Sequence, residues 1–351
     1  MTAAAPTCDP GIAIAQVRIL RMAVGIALAL AFSQAANWPA SFIAPVLASV
    51  LLCLPAPAPT VKSCIAFVAV IVITMLLGLQ LVPMLHNQPA AGVLLIILAL
   101  FWCFYFGARG GSPLLTTFLL LGLSLVPVIG SESIDAAIAI IWGLALNAIA
   151  AFLFVWLAFA LFPDAQAGPR PAPVKAEPPP LEMARHSALR SLAITVPVLL
   201  WLLFSSDSSA YAIVLLKVAT MGQQSSLADT RAAARDLLLS TLIGGIAALI
   251  IWNVLQIWPT LLMYGLLFLL CGLVMGPKIF AGAGAAPRGS VWSYGLLTMM
   301  VILAPAAMDS AGGDAAGARF NDRIVMFALA TFYAVAAIYV FDRFWPAERK
   351  R

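Results

Sequence analysis

Lys217 stands alone in an apolar run, Tyr211-Ala212-Ile213-Val214-Leu215-Leu216-Lys217-Val218-Ala219-Thr220-Met221, ten residues after Asp207 and twelve before Asp229. On a continuous helix it would be about 15 Å from the first aspartate and about 18 Å from the second. A lysine at the centre of a bilayer costs about 2.5–3.5 kcal/mol on insertion scales. Its side chain spans about 6 Å, so it reaches water only if the helix is tilted or broken. Either it snorkels in that way, or it serves as a fixed cation facing a cavity. Tyr211, on another helical face, lines the same space if the helix unwinds locally, and Gln223 lies nearer the opposite end. Asn147, in a second apolar run, either contacts substrate or hydrogen-bonds a neighbouring helix, typically for about 0.6 kcal/mol. Four further charges are candidates for gating or ion pairing: Asp207, Asp322, Arg323 and Arg109. Asp322, in Asn321-Asp322-Arg323, is expected to open a helix, where it either caps the N-terminus or forms an exit-gate pair. Arg109, among Gly107, Gly110 and Gly111, is expected in a turn whose topology alone accounts for a basic residue.

Other chemistries lack their residues. The string nearest a phosphate-binding loop, Gly272 to Lys278, has proline before the lysine and isoleucine after it. Active transport would therefore draw on an ion gradient or a partner protein. No metal-ligand set accompanies His86 or His186, and the five cysteines show no paired spacing. No Gly-x-Ser-x-Gly elbow occurs. No cofactor, no metal and no enzymatic activity are expected.

The elements that position these residues follow from composition. Of 351 residues, 63% are hydrophobic and 9% charged, against roughly 25% charged in soluble domains. That excludes a soluble globular domain and a disordered chain. The net charge of +5, from 19 basic against 14 acidic residues, is too sparse for nucleic acid. The fold class expected is all-α, a polytopic membrane protein. Charge-free stretches from Met22 to Val61, Ser63 to Ala108 and Leu237 to Pro277 are each about twice the ~20 residues of one crossing. They read as helix pairs around turns at Asn37-Trp38-Pro39, Pro83–Pro89 and Ile257-Trp258-Pro259. The full set is twelve helices: 18–36, 40–54, 62–83, 90–107, 113–130, 134–162, 188–206, 209–226, 235–257, 259–276, 290–308 and 321–344.

With a cytoplasmic N-terminus, 16 of the 19 basic residues fall on that side, Arg319 and Arg323 on the other, and Lys217 inside a helix. The positive-inside rule then places both ends in the cytoplasm. A cleavable leader through Ser33-Gln34-Ala35-Ala36 is the alternative for the first helix, but an equivalent helix recurs in mid-chain. The halves align at a constant shift of 169 residues: Arg21 on Arg190, Phe42 on Tyr211, Lys62 on Arg231, Gly107 on Gly276 and Arg109 on Lys278. Four parts follow. Residues 1–162 form a first six-helix repeat, 163–187 a proline-rich cytoplasmic linker, 188–344 a parallel second repeat, and 345–351 a basic tail.

Each half thus runs from an arginine into a small-residue helix, then an aromatic-bearing segment, a basic residue and a glycine-containing helix. The two series are Arg21…Asn37-Trp38-Pro39-Ala40-Ser41-Phe42-Ile43-Ala44-Pro45…Lys62…Gly78 and Arg190…Tyr211…Arg231…Gly244-Gly245. This pattern resembles the fusaric acid resistance family, the aromatic acid exporter-like group of bacterial inner-membrane proteins. The resemblance implies efflux of small, often aromatic, organic acids with a periplasmic membrane-fusion-type adaptor. The large cytoplasmic domains of the long exporters are missing here. A membrane subunit that anchors an adaptor without transporting anything is the alternative, and a homo-oligomer is compatible with either.

Overall fold

The computed structural model describes residues 10–36, 38, 40–54, 56–163, 179–203, 230–280, 289–309 and 315–345. All regular secondary structure among them is α-helical. In chain order the helices are α1 (Pro10–Ala35), α2 (Ile43–Cys53), α3 (Val61–Leu79), α4 (Val82–Asn87), α5 (Pro89–Ala108), α6 (Pro113–Glu132), α7 (Ile134–Leu161), α8 (Leu181–Leu203), α9 (Thr230–Ile257), α10 (Leu261–Ile279), α11 (Gly289–Asp309) and α12 (Ala315–Phe344). Nine helical stretches among the described residues are long and apolar enough to cross a membrane, with α3 and α4 counted as one. The chain is a multi-pass membrane protein.

Several boundaries depart from the sequence reading; α1, expected over 18–36, already starts at Pro10. α2 has 11 residues, about 16 Å, where a full crossing was expected over 40–54. α8 starts at Leu181, so the end of the expected linker is helical; Pro180 precedes it and Glu182 lies in its first turn, where acidic residues favour the helix dipole. α12 starts at Ala315, so Asn321–Arg323 lie inside the helix rather than at its opening, and Asp322 does not cap it. The helix expected over 209–226 lies outside the described residues.

Two compact units are present, each assembled from three separate stretches of chain. The first comprises Met1–Cys64, Leu146–Ala172 and Leu239–Phe320. Here α1 buries Met22, Ala23, Ile26, Ala29 and Leu30 while leaving Leu20, Leu28 and Phe32 exposed, the one-sided pattern of a 3.6-residue period. The buried side of α1 packs on α2 and, more extensively, on α10. α1 and α10 run antiparallel: Ile19 meets Gly276, Ala23 meets Gly272 and Ala31 meets Gly265. A Cβ on Gly272 would lie 2.8 Å from the Cα of Ala23, so only glycine permits this approach. α9 and α11 cross as closely, with a Cβ on Gly244 reaching 2.5 Å from the Gly295 carbonyl oxygen.

The second unit comprises Ile65–Ala145, Pro173–Leu238 and Asn321–Arg351. α8 packs on α5, through a core of Ile96, Leu100, Cys103 and Phe104 with Leu120, Leu123, Ala188, Leu199 and Leu202. Ile194, on another side of α8, joins Ala330, Ala334 and Ile338 of α12. α3 and α6 cross where a Cβ on Gly78 would strike the Gly122 carbonyl, and one on Gly122 the Thr74 carbonyl.

Candidate functional site

α7 is a continuous helix of 28 residues, about 42 Å long, and Asn147 is the fourteenth of them. It is fully buried. Its Oδ1 accepts two hydrogen bonds, from the Trp38 indole Nε1 at 3.1 Å and from the Ala44 backbone N–H at 3.1 Å. Ala44 is the second residue of α2, and the α2 N-cap residue, Phe42, provides no side-chain cap. A side chain from the middle of α7 therefore satisfies a donor that the first turn of any helix leaves open. Among the described residues between α1 and α2, Ala40 has a φ of 54° and Ser41 is fully buried.

The placement of this turn is the notable feature. The sequence puts Asn37-Trp38-Pro39 at the membrane surface, with Trp38 in an interfacial belt. Trp38 and the start of α2 instead lie level with the centre of a helix long enough to span the whole bilayer. Non-helical backbone at that depth must find its partners in protein, because hydrocarbon offers none. Asn147 supplies them. At its other end α2 stops at Leu54, which is extended with ψ 132° ahead of Pro55, as steric conflict with a proline ring requires. The extended segment that follows is tied to α7 by the Trp156 indole, donating to the Pro59 carbonyl at 2.6 Å.

Two arginines that sequence reasoning treated as topology markers and as matched positions of the repeat form a second feature. Arg21 is 2% exposed and Arg190 6%. Arg21 donates to the Phe162 carbonyl at 3.5 Å, and its guanidinium lies 3.8 Å from the centre of the Phe159 ring. It thus meets the C-terminal end of α7, where a cation complements the helix dipole. Arg190 meets the end of α12 and pairs with Asp342 at 3.3 Å. Beside it the His186 ring lies 2.7 Å from the Trp345 carbonyl. The match of Arg21 with Arg190 was legible as an offset; the role of Asp342 was not, because one carboxylate among the charges of a helix end carries no signal.

The remaining candidates do not converge with Asn147. Arg109 donates to the Pro179 carbonyl at 3.1 Å, tying the turn after α5 to the segment that leads into α8. Asp322 is exposed on α12, and the Arg323 side chain is not among those described. Lys217, Tyr211, Gln223 and Asp207 lie outside the described residues.

A family described as Protein of unknown function (DUF2955) matches residues 18–158, the stretch from α1 into α7. No curated protein and no solved structure matches the chain.

Proposed function

We propose that this protein is a secondary transporter of the bacterial inner membrane. It exports small organic acids, aromatic ones among them, or related toxic compounds, together with a periplasmic adaptor. The observation that carries the reading is the turn held by Asn147 level with the centre of α7. Interrupted helices at the midplane recur where secondary transporters bind substrate, because their open backbone groups and helix ends can meet a polar ligand. A protein that serves only as an anchor has no use for such a costly interior.

The constant 169-residue offset supports two parallel six-helix repeats, and so does the pairing of α1 with α10 and of α8 with α5. The offset matches Phe42, at the start of α2, to Tyr211. It matches the fully buried Ala48 to Lys217. Lys217 is the proposed cation for the substrate carboxylate, with Tyr211, Asn147 and Gln223 contributing to the same path. Asp207 and Arg323 are the proposed far-side gating charges. No covalent chemistry is proposed. The far-side loop expected to be longest, about Asp309 to Asn321, is shorter still, since α11 ends at Asp309 and α12 starts at Ala315, so passage across a second membrane would need the adaptor as conduit.

The decisive measurement is uptake of a labelled aromatic acid into liposomes holding the purified protein, with and without adaptor. Lys217→Met should insert at equal abundance and lose acid transport, while Lys217→Arg retains part of it. Wild-type rates in Lys217→Met would remove Lys217 from the substrate path. No transport by the wild type under any imposed gradient, with adaptor still bound, would leave the anchoring role instead.

A further inference from the structure

The sequence divides the chain into two six-helix repeats. The compact units are composed otherwise. α1, α2 and the latter part of α7 share a unit with α10 and α11 and most of α9. The other unit joins α4, α5, α6 and most of α3 to α8 and most of α12. Written in terms of the offset, helices one, two and six of the first half are grouped with helices three, four and five of the second, and helices three, four and five of the first with helices one and six of the second. The contacts follow suit: α1 is covered by α10 and α8 by α5, and the offset carries α1 onto α8 and α5 onto α10.

We infer that each half of this chain is an incomplete bundle, and that its partner is the other half, bound as one subunit binds another. This rests on the repeat reading above but not on transport. Residues 18–158, the stretch shared with the matching family, contain α1 without α10. The part of the face Met22, Ala23, Ile26, Ala29 and Leu30 that α10 covers would then be open, with α2 against the rest.

A second copy of the first half does not fit that face. It would present α5 in place of α10, and the offset puts Cys103 where α10 has Gly272. Any Cβ at that position lies 2.8 Å from the Cα of Ala23, closer than packed side chains approach. On α8 the matching position to Ala23 is Leu192, which packs against the core containing Cys103. Alanine faces glycine in one unit, and in the second a leucine packs against the core that holds the cysteine. The two halves are therefore complementary to one another rather than to themselves.

The test uses the whole chain with a protease site inserted in the 164–178 segment. After cleavage in mild detergent the halves should elute together as one species. Separation into two folded, monodisperse species would overturn the inference, as would re-formation into two homodimers. A cysteine pair reads the same contact directly. Ala31 Cβ and a Cβ on Gly265 are 3.9 Å apart, close to the ~3.8 Å mean of a disulfide. In a background without the five native cysteines, oxidised and cleaved Ala31→Cys/Gly265→Cys protein should run on a denaturing gel near the full 37.0 kDa and split on reduction. Two separate halves without reductant would contradict an α1–α10 pairing. If the double variant fails to fold, elution of the cleaved native-cysteine chain decides alone.

Discussion

Replacing Asn147 tests whether a polar clamp holds the α1–α2 turn inside the membrane. Asn147→Leu keeps the branched side-chain skeleton and removes the acceptor of two hydrogen bonds, each 3.1 Å long. Hydrogen bonds between membrane helices average about 0.6 kcal/mol and reach about 1.7, so two bonds account for about 1–3 kcal/mol. The larger effect is what remains. The Ala44 N–H stays buried without its acceptor, at a cost of about 1–3 kcal/mol. The total loss should be about 2–6 kcal/mol. Trp38→Phe removes one donor and orphans no backbone group, so it should cost about 1–2 kcal/mol, part of it lost packing. In the double variant the shared bond is counted once, and the coupling between the two sites should be about 0.6–1.7 kcal/mol. Reversible unfolding in mixed micelles, followed by tryptophan fluorescence and by far-ultraviolet circular dichroism, gives all four corners of the cycle. A coupling of zero, or an Asn147→Leu variant as stable as wild type, would mean that water or lipid headgroup reaches the turn and that it does not lie at mid-depth.

Other outcomes follow from the same physical arguments. Gly122→Ala should abolish a monodisperse elution profile, because its Cβ would meet the Thr74 carbonyl. Gly245→Ala, where a Cβ meets nothing within 4 Å, should be neutral or stabilising by up to about 1 kcal/mol. Asp342→Leu should cost about 2–4 kcal/mol by leaving buried Arg190 without its carboxylate. The double variant Arg190→Met/Asp342→Leu should recover most of that loss, since a buried pair replaced whole is often nearly neutral; no recovery would show that Arg190 matters for more than packing. Ala40→Gly should raise stability by up to about 1 kcal/mol by relieving the left-handed backbone, and an unchanged unfolding midpoint would place the turn in another conformation.

Much of the fold was legible because a membrane leaves so few options. Charge-free runs, proline turns and basic residues at helix ends give most of the helices to within a few residues. The short length of α2 was not legible, because its end signals act over distance. The run Ile43–Cys53 is more apolar than most of the crossing helices, and what starts it is a side chain about a hundred residues away. Asn147 stood out as a polar residue in an apolar run, but its partners could not be named from spacing. Asp342 and the burial of Arg21 and Arg190 were hidden for the same reason: ion pairs across long sequence separations leave no local pattern. The grouping of helices across the two halves was equally silent, since a repeat fixes which elements correspond and says nothing about which of them touch.

That grouping has a consequence for synthesis. At about 5–20 residues per second, α10 is finished roughly 12–50 s after α1, because some 240 residues separate their ends. Through that interval α1 has its small-residue face, with Arg21 near one end, and no α10 to cover it. α8 meets no such delay, since α5 precedes it in the chain. The nascent protein is therefore most vulnerable at its first helix, and ribosomes that stall between α8 and α10 should release chains cleared by membrane proteases sooner than those stalled after α10.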